Sequence, residues 1–240
     1  MTIVFSITTK DFILMSADSA ITVSYENARE YETGEKSYFF DGVGCVTTWG
    51  SKDHNKIGSY LSQVNISPGT HDISDLSKLV SRYLIEEFCP RELNLDDVGY
   101  HVGGFDKNGH PRLFHIFWGF DRPRIPEQRY PKYAIYDHSP IESEPMLLYN
   151  GRNDLAQLVI NIIIAQIKNG QDTRFNLSKH DNFIYLTDFI NRFASELTPE
   201  VGPPFNYYLI SPKNKIIKFN NPNILPIDHD IVSSAIKSLD

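Results

Sequence analysis

The chain opens with Thr2-Ile-Val-Phe-Ser-Ile-Thr-Thr-Lys-Asp-Phe-Ile-Leu-Met-Ser-Ala-Asp18, directly after Met1. Residues 2–9 and 12–17 are rich in β-branched and aromatic side chains and are separated by two polar residues, a pattern that predicts a β-hairpin. If Met1 is removed, Thr2 becomes N-terminal and carries a hydroxyl nucleophile beside a free α-amine. An α-amine with a pKa of about 7.7–8.0 can act as a general base near neutral pH. The stretch therefore predicts both a strand pair and a candidate nucleophile.

Length and composition indicate one globular domain. The chain has 240 residues, of which 41% are hydrophobic and 22% are charged, as in proteins with an ordinary packed core. We expect a single domain over residues 1–240, in which residues 222–240 form a C-terminal helical extension. The formal net charge of −7 disfavours a polyanionic partner such as nucleic acid.

The cysteines and the hydropathy pattern indicate a cytoplasmic protein without a membrane segment. Cys45 and Cys89 have no metal-binding or redox spacing around them, as expected for core thiols in a reducing compartment. Polar residues interrupt the stretch 2–9, which therefore lacks the continuous apolar run of a signal peptide. No window approaches the roughly 18 apolar residues that a membrane-spanning helix requires. We therefore expect a cytoplasmic location.

The hydrophobic period divides the rest of the chain into blocks of strands and blocks of helices. A second hairpin is predicted over 37–40 and 43–49, and further strands are predicted over 98–105, 112–118, 132–136, 146–149, 207–210 and 216–219. Helices are predicted around 57–64, from a cap at Asp72 or Ser74 to Phe88, and over 154–168, 180–197 and 231–239. The stretch 25–36 is polar and carries no predicted element, and 121–129 is predicted to be a proline-containing loop.

This order of blocks predicts the fold class. Strands and helices are segregated rather than strictly alternating, which favours antiparallel sheets with helices packed outside them. Because each helix pair is a continuous block, we predict an α+β fold, a four-layer αββα sandwich of two antiparallel sheets with helix pairs outside. The wide apolar arc of the helix at 154–168 indicates burial between two layers.

Three segments together carry a family resemblance. The stretch from Thr2 to Thr22 combines a threonine, a strand, a short turn, a second strand, Ala17-Asp-Ser19 and a further threonine. Gly34-Glu-Lys-Ser-Tyr-Phe-Phe-Asp41 places a lysine before the next strand, and Thr47-Thr-Trp-Gly-Ser51 ends a strand in a glycine before the first helix. In this pattern and spacing the chain resembles the proteasome family of N-terminal-nucleophile hydrolases, which includes proteasome β subunits, HslV and the bacterial Anbu group.

The resemblance implies a catalytic role for four residues. Thr2 would be the nucleophile, and its own amine would accept the proton. Lys36 would lower the proton affinity of the Thr2 hydroxyl, while Asp18 would pair with the lysine ammonium and hold it in place. The N–H of Gly50 would stabilise the oxyanion of the tetrahedral intermediate.

The same matching implies five residues that contact the substrate. Thr22 would pair with the substrate backbone, whereas the pocket for the residue before the cut bond would be bordered by Ile21, Tyr38, Thr48 and Lys52. No metal and no organic cofactor is implied. The sequence also contains no Gly-x-Ser-x-Gly elbow, phosphate-binding loop or paired-histidine zinc spacing.

Two segments differ from the family pattern where that pattern supports the nucleophile. Tyr149-Asn-Gly-Arg152 stands where the family usually has Gly-Ser-Gly, so that Arg152 replaces the serine that supports the amine. Thr198-Pro-Glu-Val-Gly-Pro-Pro204 stands where an aspartate and a serine often complete the site, with Glu196 or Glu200 as a substitute. The proline-rich version resembles Anbu more than the core proteasome.

The resulting hypothesis is a threonine-type peptide hydrolase that forms an acyl ester on Thr2 and hydrolyses it with water. The resemblance implies a homo-oligomer, a ring or a helical array, that takes unfolded protein or peptide as substrate and works with an associated ATPase. Two alternatives stay open. One is a non-catalytic structural subunit with the same fold, and the other is an amidohydrolase of the same superfamily that acts on a small amide.

Overall fold

The computed structural model describes residues 2–24, 29–50, 54–88, 98–118, 133–140, 145–168 and 180–219. The strands are β1 (Ile3–Thr8), β2 (Ile13–Ala17), β3 (Ala20–Ser24), β4 (Arg29–Thr33), β5 (Ser37–Phe40), β6 (Gly44–Gly50), β7 (Val98–Phe105), β8 (Pro111–Trp118), β9 (Tyr133–Asp137), β10 (Met146–Gly151), β11 (Asn206–Ile210) and β12 (Ile216–Phe219). The helices are α1 (His54–Gln63), α2 (Ile73–Arg82), α3 (Asn153–Lys168) and α4 (His180–Leu197). Cys89, the loop at 121–129 and the extension at 222–240 lie outside the described residues.

The described strands form two five-stranded sheets and a separate hairpin. The first sheet has the order β10-β1-β2-β11-β12, the second has the order β5-β6-β7-β8-β9, and β3 pairs with β4. Each of these pairings is antiparallel. The prediction of a mixed helix and strand fold with antiparallel sheets is therefore confirmed.

Apolar clusters show where the helices and sheets pack. α4 contacts β1 and β2 of the first sheet, and α2 contacts β7 and β8 of the second sheet. The cluster beneath α4 includes Ile3, Phe5, Leu14, Phe183 and Leu209. The cluster beneath α2 includes Val46, Leu76, Val80, Val102 and Ile116. A smaller cluster lies between the two sheets and consists of Ile13, Met15, Cys45, Phe105, Tyr208 and Ile210.

Hydrogen bonds also join the two sheets. The Ser6 hydroxyl of β1 lies 2.9 Å from His101 Nδ1 of β7, and His101 Nε2 lies 2.8 Å from Asn150 Oδ1 of β10. The Asn214 side chain, in the turn between β11 and β12, binds both the N–H and the C=O of Phe105 at 2.7 Å. Polar contacts therefore fix the position of one sheet relative to the other, in addition to the apolar cluster between them.

The beginning of α2 follows from its sequence. The Asp72 side chain accepts hydrogen bonds from the N–H groups of Ser74 and Asp75, and the Asp75 side chain accepts one from the Asp72 N–H. These reciprocal bonds form a capping box. Of the two predicted caps, Asp72 is therefore the one used. The helix continues beyond α2 as a π-helix from Tyr83 to Phe88.

The main difference from the sequence prediction is the hairpin of β3 and β4. No element is predicted for the polar stretch 25–36, but its residues Arg29–Thr33 form β4 and pair with β3. Glu30, Tyr31, Glu32 and Thr33 are all exposed, so this described part of β4 buries no apolar face. A strand that is held by backbone hydrogen bonds leaves no hydrophobic period in the sequence.

Candidate active site

Three strand ends bring Thr2, Asp18 and Lys36 together. Thr2 precedes β1, Asp18 follows β2, and Lys36 precedes β5, which belongs to the second sheet. The antiparallel pairing of β1 with β2 places Asp18 across from Ile3. The Asp18 N–H donates to the Ile3 carbonyl at 3.3 Å, and the Ile3 N–H donates to Asp18 Oδ1 at 3.0 Å.

The Lys36 side chain lies at the centre of this group. Its Nζ atom lies 2.7 Å from Thr2 Oγ1 and 3.0 Å from Asp18 Oδ1, and it also donates to the Ala20 carbonyl. Lys36 and Asp18 are fully buried, and Thr2 is 2% exposed. A buried lysine is tolerated only when it is paired and hydrogen-bonded. Here three acceptors match the three N–H bonds of an ammonium group.

Burial and pairing act in opposite directions on the two ionisable groups. Burial lowers the pKa of Lys36 below its ordinary value, and the adjacent Asp18 carboxylate offsets part of that change. Burial raises the pKa of Asp18, against the Lys36 charge and the N–H groups of Ile3 and Ala20. The positive charge of Lys36 favours ionisation of the adjacent Thr2 hydroxyl. Because the lysine also holds its proton less tightly than usual, it can exchange a proton with that hydroxyl.

The main chain of Thr2 is fixed by the end of β10. The register pairs Ile3 with Gly151, and the Arg152 N–H donates to the Thr2 carbonyl at 2.9 Å. Gly151 has a φ of 96°, and a Cβ atom there would lie 1.7 Å from the Thr2 carbonyl oxygen. Since a side chain would also be strained at this φ, glycine is the residue that lets β10 approach Thr2 so closely.

The turn after α4 supports the Asp18 carboxylate. Asp18 Oδ2 accepts hydrogen bonds from the N–H groups of Ala20 at 3.0 Å and Gly202 at 3.4 Å. The Ser19 N–H donates to the Gly202 carbonyl at 3.0 Å, and the Ser19 hydroxyl donates to the Pro204 carbonyl. Residues 18–20 therefore run alongside this turn, and its N–H group helps to keep a buried carboxylate ionised.

The predicted oxyanion residue, Gly50, is the last residue of β6. The Thr48 N–H donates to the Lys36 carbonyl at 2.9 Å, so the end of β6 lies beside the lysine. A φ of 96° at Gly50 turns the chain out of the strand, before α1 begins at His54. The structure thus brings Thr2, Asp18 and Lys36 into contact and places Gly50 on the strand next to them.

Four of the five residues predicted to contact substrate are described, whereas Lys52 lies outside the described residues. Ile21 and Thr22 are on β3, and both are partly buried. Tyr38 is on β5 and packs against the apolar cluster beneath α2. Thr48 is buried on β6. These four residues therefore lie on the strands that begin at, or run beside, Asp18 and Lys36.

Ala20, Gly151 and Gly202 are not predicted from the sequence, although each contacts the candidate site. All three act through main-chain atoms: a carbonyl and an N–H of Ala20, the close approach of Gly151, and the N–H of Gly202. Because main-chain groups are the same in every residue, the residue type does not reveal which of them will form such contacts. The signal in the sequence is the glycine itself at residue 151, two residues after the predicted strand 146–149.

The two segments that differ from the family pattern the sequence resembles are joined by an ion pair between Arg152 and Glu200. Arg152 Nη1 lies 3.4 Å from Glu200 Oε2. The same guanidinium binds Asp154 through Nε at 2.9 Å and through Nη2 at 2.7 Å. Arg152 is therefore held by two carboxylates, one from the start of α3 and one from the turn after α4.

The described residues include neither a metal-binding cluster nor a membrane-spanning helix. No group of three or more His, Cys, Asp or Glu side chains among them could hold a metal ion. None of the described helices combines the length and the apolar character needed to cross a membrane.

Comparison with known proteins identifies the fold. No protein-family model and no curated protein matches the chain. The Anbu complex from Pseudomonas aeruginosa, a helical assembly, matches with a TM-score of 0.63 at 14% identity, over 98% of this chain and 91% of that chain. Anbu (ancestral beta-subunit) from Yersinia bercovieri has a TM-score of 0.63 and 13% identity over 98% and 92% of the two chains. The Gly-1 mutant of Anbu from Hyphomicrobium sp. strain MC1 has a TM-score of 0.62 and 13% identity over 99% and 96%. Over nearly its whole length, this chain therefore shares the fold of the proteasome-like Anbu structures.

Proposed function

We propose that this chain is a threonine-type peptide hydrolase of a proteasome-like assembly, with Thr2 as nucleophile once Met1 has been removed. The observation that carries the proposal is the contact of Lys36 Nζ with Thr2 Oγ1 at 2.7 Å, in a buried group where Asp18 completes an ion pair. Well-packed apolar residues usually stabilise a fold as well as a buried ion pair does. A buried lysine that is aimed at a hydroxyl therefore favours a chemical role.

In the acylation step, Thr2 Oγ1 bonds to the carbonyl carbon of the substrate peptide. Its proton passes to the α-amine of Thr2, directly or through a water molecule. The Lys36 cation lowers the proton affinity of the hydroxyl, Asp18 holds that cation in place, and the Gly50 N–H donates to the oxyanion. When the tetrahedral intermediate collapses, the carbon–nitrogen bond breaks and the α-amine gives its proton to the leaving amine.

In the deacylation step, water attacks the ester on Thr2. The α-amine accepts a proton from that water and returns it to Oγ1 as the ester bond breaks. The carboxylic acid product leaves, and the enzyme is restored. Thr22 pairs with the substrate backbone, and the pocket for the residue before the cut bond is bordered by Ile21, Tyr38, Thr48 and Lys52.

We further propose one domain over residues 1–240, with four layers in the order helices, sheet, sheet, helices. The separate apolar clusters beneath α4, beneath α2 and between the sheets support this order. The helical assembly of the Pseudomonas aeruginosa Anbu complex supports a homo-oligomer. An ATPase that unfolds protein substrates would supply peptide to such an assembly.

Intact mass and turnover of fluorogenic peptides test the proposed function together. We expect a mature chain without Met1, hydrolysis by the wild type, and loss of hydrolysis in Thr2→Ala. Thr70→Ala, at an exposed position before α2, is the matched control and should keep full activity. Hydrolysis that survives Thr2→Ala, or that occurs in a chain that still carries Met1, would assign the chemistry to another group.

A non-catalytic subunit of the same fold is the second candidate. It is favoured by Arg152, which takes the place of the serine that supports the amine in the related family and which is bound to Asp154 and Glu200 instead. Such a subunit would assemble normally but would show no peptide turnover in either the wild type or Thr2→Ala. Turnover that depends on Thr2 excludes it.

A further inference from the structure

Side-chain contacts link Thr2 to the turn after α4. Thr2 Oγ1 is bound by Lys36 Nζ at 2.7 Å, and Lys36 Nζ is bound to Asp18 Oδ1 at 3.0 Å. The other carboxylate oxygen of Asp18 accepts the Gly202 N–H at 3.4 Å. The position of this turn therefore decides whether Asp18 keeps the hydrogen bond from Gly202.

A second path returns from the same turn to Thr2. Glu200, close to Gly202 in the turn, binds Arg152 Nη1 at 3.4 Å. The Arg152 N–H then donates to the Thr2 carbonyl at 2.9 Å. The two paths together close a ring of contacts that starts and ends at Thr2, with the Arg152–Glu200 ion pair as its link between distant segments.

The ion pair is shielded enough to hold the turn. The Arg152 and Glu200 side chains are 19% and 12% exposed, so water and salt screen their attraction less than at an open surface. Asp154 binds two nitrogens of the same guanidinium, which fixes its plane. A fixed guanidinium next to a mostly buried carboxylate can anchor the loop that carries the carboxylate.

We propose that Arg152 and Glu200 are positioning residues: their ion pair holds the turn after α4 against Asp18, so that the Gly202 N–H reaches the carboxylate. Neither residue touches the reacting atoms in this role. The effect on catalysis rests on the proposed function, whereas the effect on the turn does not.

Loss of the ion pair has a defined chemical consequence. Without the ion pair the turn keeps its hydrogen bonds to Ser19 but is held less firmly, and the long hydrogen bond from the Gly202 N–H to Asp18, which favours the ionised carboxylate, weakens. A proton then binds Asp18 more readily, and a neutral Asp18 no longer holds the Lys36 cation. The acid limb of the pH profile of kcat/KM begins where the α-amine of Thr2 takes up a proton, and a further fall follows where Asp18 does. This second fall should begin at higher pH than in the wild type, by about half a unit to one unit for one weakened hydrogen bond.

The test compares Arg152→Gln, Glu200→Gln and the conservative Arg152→Lys with the wild type. Arg112→Gln is the matched control, because Arg112 forms a partly exposed ion pair with Asp106 and lies on β8. Hydrogen–deuterium exchange of the 198–206 segment reports on the turn, and peptide hydrolysis between pH 5 and pH 9 gives the profile. Both readouts use the full chain in its assembled form.

Arg152→Gln and Glu200→Gln should each speed hydrogen–deuterium exchange in the 198–206 segment and shift the second fall in the acid limb of kcat/KM to higher pH. Each should also lower kcat more than it raises KM. Arg152→Lys should restore part of each effect, and Arg112→Gln should change neither readout. If Arg152→Gln fails to fold, Glu200→Gln supplies the same comparison. Unchanged exchange overturns the proposal, and so does a uniform loss of activity at all pH values without a shift of this second fall.

An inactive wild type would contradict the proposed function but not this inference. In that case exchange alone decides it. Faster exchange of the 198–206 segment in Arg152→Gln and Glu200→Gln, but not in Arg112→Gln, supports the anchoring role of the ion pair, and equal exchange in all variants overturns it.

Discussion

The Nζ atom of Lys36 lies 2.7 Å from Oγ1 of Thr2, although Thr2 leads into the first sheet and Lys36 leads into the second. Asp18 joins them, because its side chain binds Lys36 while its main chain pairs with Ile3 of β1. The candidate nucleophile is therefore held at a contact between two sheets. Its geometry depends on a buried ion pair, and this dependence can be measured.

Substitution of one member of the buried pair should cost far more stability than substitution of both. Lys36→Met leaves the Asp18 carboxylate buried without its partner, so we expect the free energy of unfolding to fall by about 3–5 kcal/mol. In the double variant Asp18→Asn with Lys36→Met, most of that stability should return, but hydrolysis should stay absent. Urea unfolding at pH 8 measures the difference. Equal stability of the single and the double variant would contradict the prediction.

Gly151→Ala should disturb Thr2 as well as the local backbone. The new Cβ atom would lie 1.7 Å from the Thr2 carbonyl oxygen, and strain at a φ of 96° adds about 1–3 kcal/mol. Gly109→Ala is the matched control, since its φ is 75° and no atom lies within 4 Å of the added Cβ. Both variants should lose stability in urea unfolding, but Gly151→Ala should lose more, and it alone should lose peptide hydrolysis. A normal rate of hydrolysis in Gly151→Ala would show that Thr2 tolerates the displacement.

Acid should destabilise the fold through two buried histidines. Burial lowers the pKa of His101 to about 4 and that of His115 to about 2, from an ordinary value of 6.5. Below pH 6.5 the unfolded chain therefore binds protons that the folded chain does not, and the free energy of unfolding falls as the pH falls. Each histidine should remove about 2 kcal/mol between pH 7 and pH 5.

His115→Phe isolates one histidine from the other titrating groups. The pKa values of Asp18 and Asp188 are raised in the folded chain, so these two carboxyl groups increase the free energy of unfolding as the pH falls. The contribution of His115 is therefore obtained by subtracting the pH dependence of the variant from that of the wild type. The Phe117 ring, 4.8 Å from that of His115, offers an apolar neighbour for the new side chain. Urea unfolding from pH 5 to pH 7 should show a flatter pH dependence in His115→Phe than in the wild type. Gln63→Ala, at an exposed position at the end of α1, should leave it unchanged.

Replacement of Asn214 by alanine should lower the free energy of unfolding more than replacement by glycine. Its side chain makes two buried hydrogen bonds to Phe105, and its φ is 55°. Either substitution removes both bonds and should cost about 1–3 kcal/mol in the free energy of unfolding. Alanine adds the cost of a left-handed backbone, roughly 1–2 kcal/mol, which glycine avoids. Thermal or urea unfolding should therefore rank the wild type above Asn214→Gly, and Asn214→Gly above Asn214→Ala.

Local sequence predicts much of this fold because burial on one face leaves a period that can be read. α4 runs over His180–Leu197 as predicted, and the predicted hairpin of β1 and β2 is present. β4 could not be predicted in this way, since its residues 30–33 are all exposed. The contact of Asp18 with Lys36 follows from a family resemblance in spacing, whereas the contact of Arg152 with Glu200 depends on how distant segments fold together.

The hydrogen bonds from Ser6 to His101 and on to Asn150 limit shear between the two sheets. Thr2 and Lys36 approach each other from opposite sides of that interface, so a slip of about one ångström would separate them without breaking any strand pairing. The distance between Thr2 Oγ1 and Lys36 Nζ therefore reports how the two sheets lie relative to each other. A displacement of one sheet relative to the other would therefore reach the candidate nucleophile as a change in that distance.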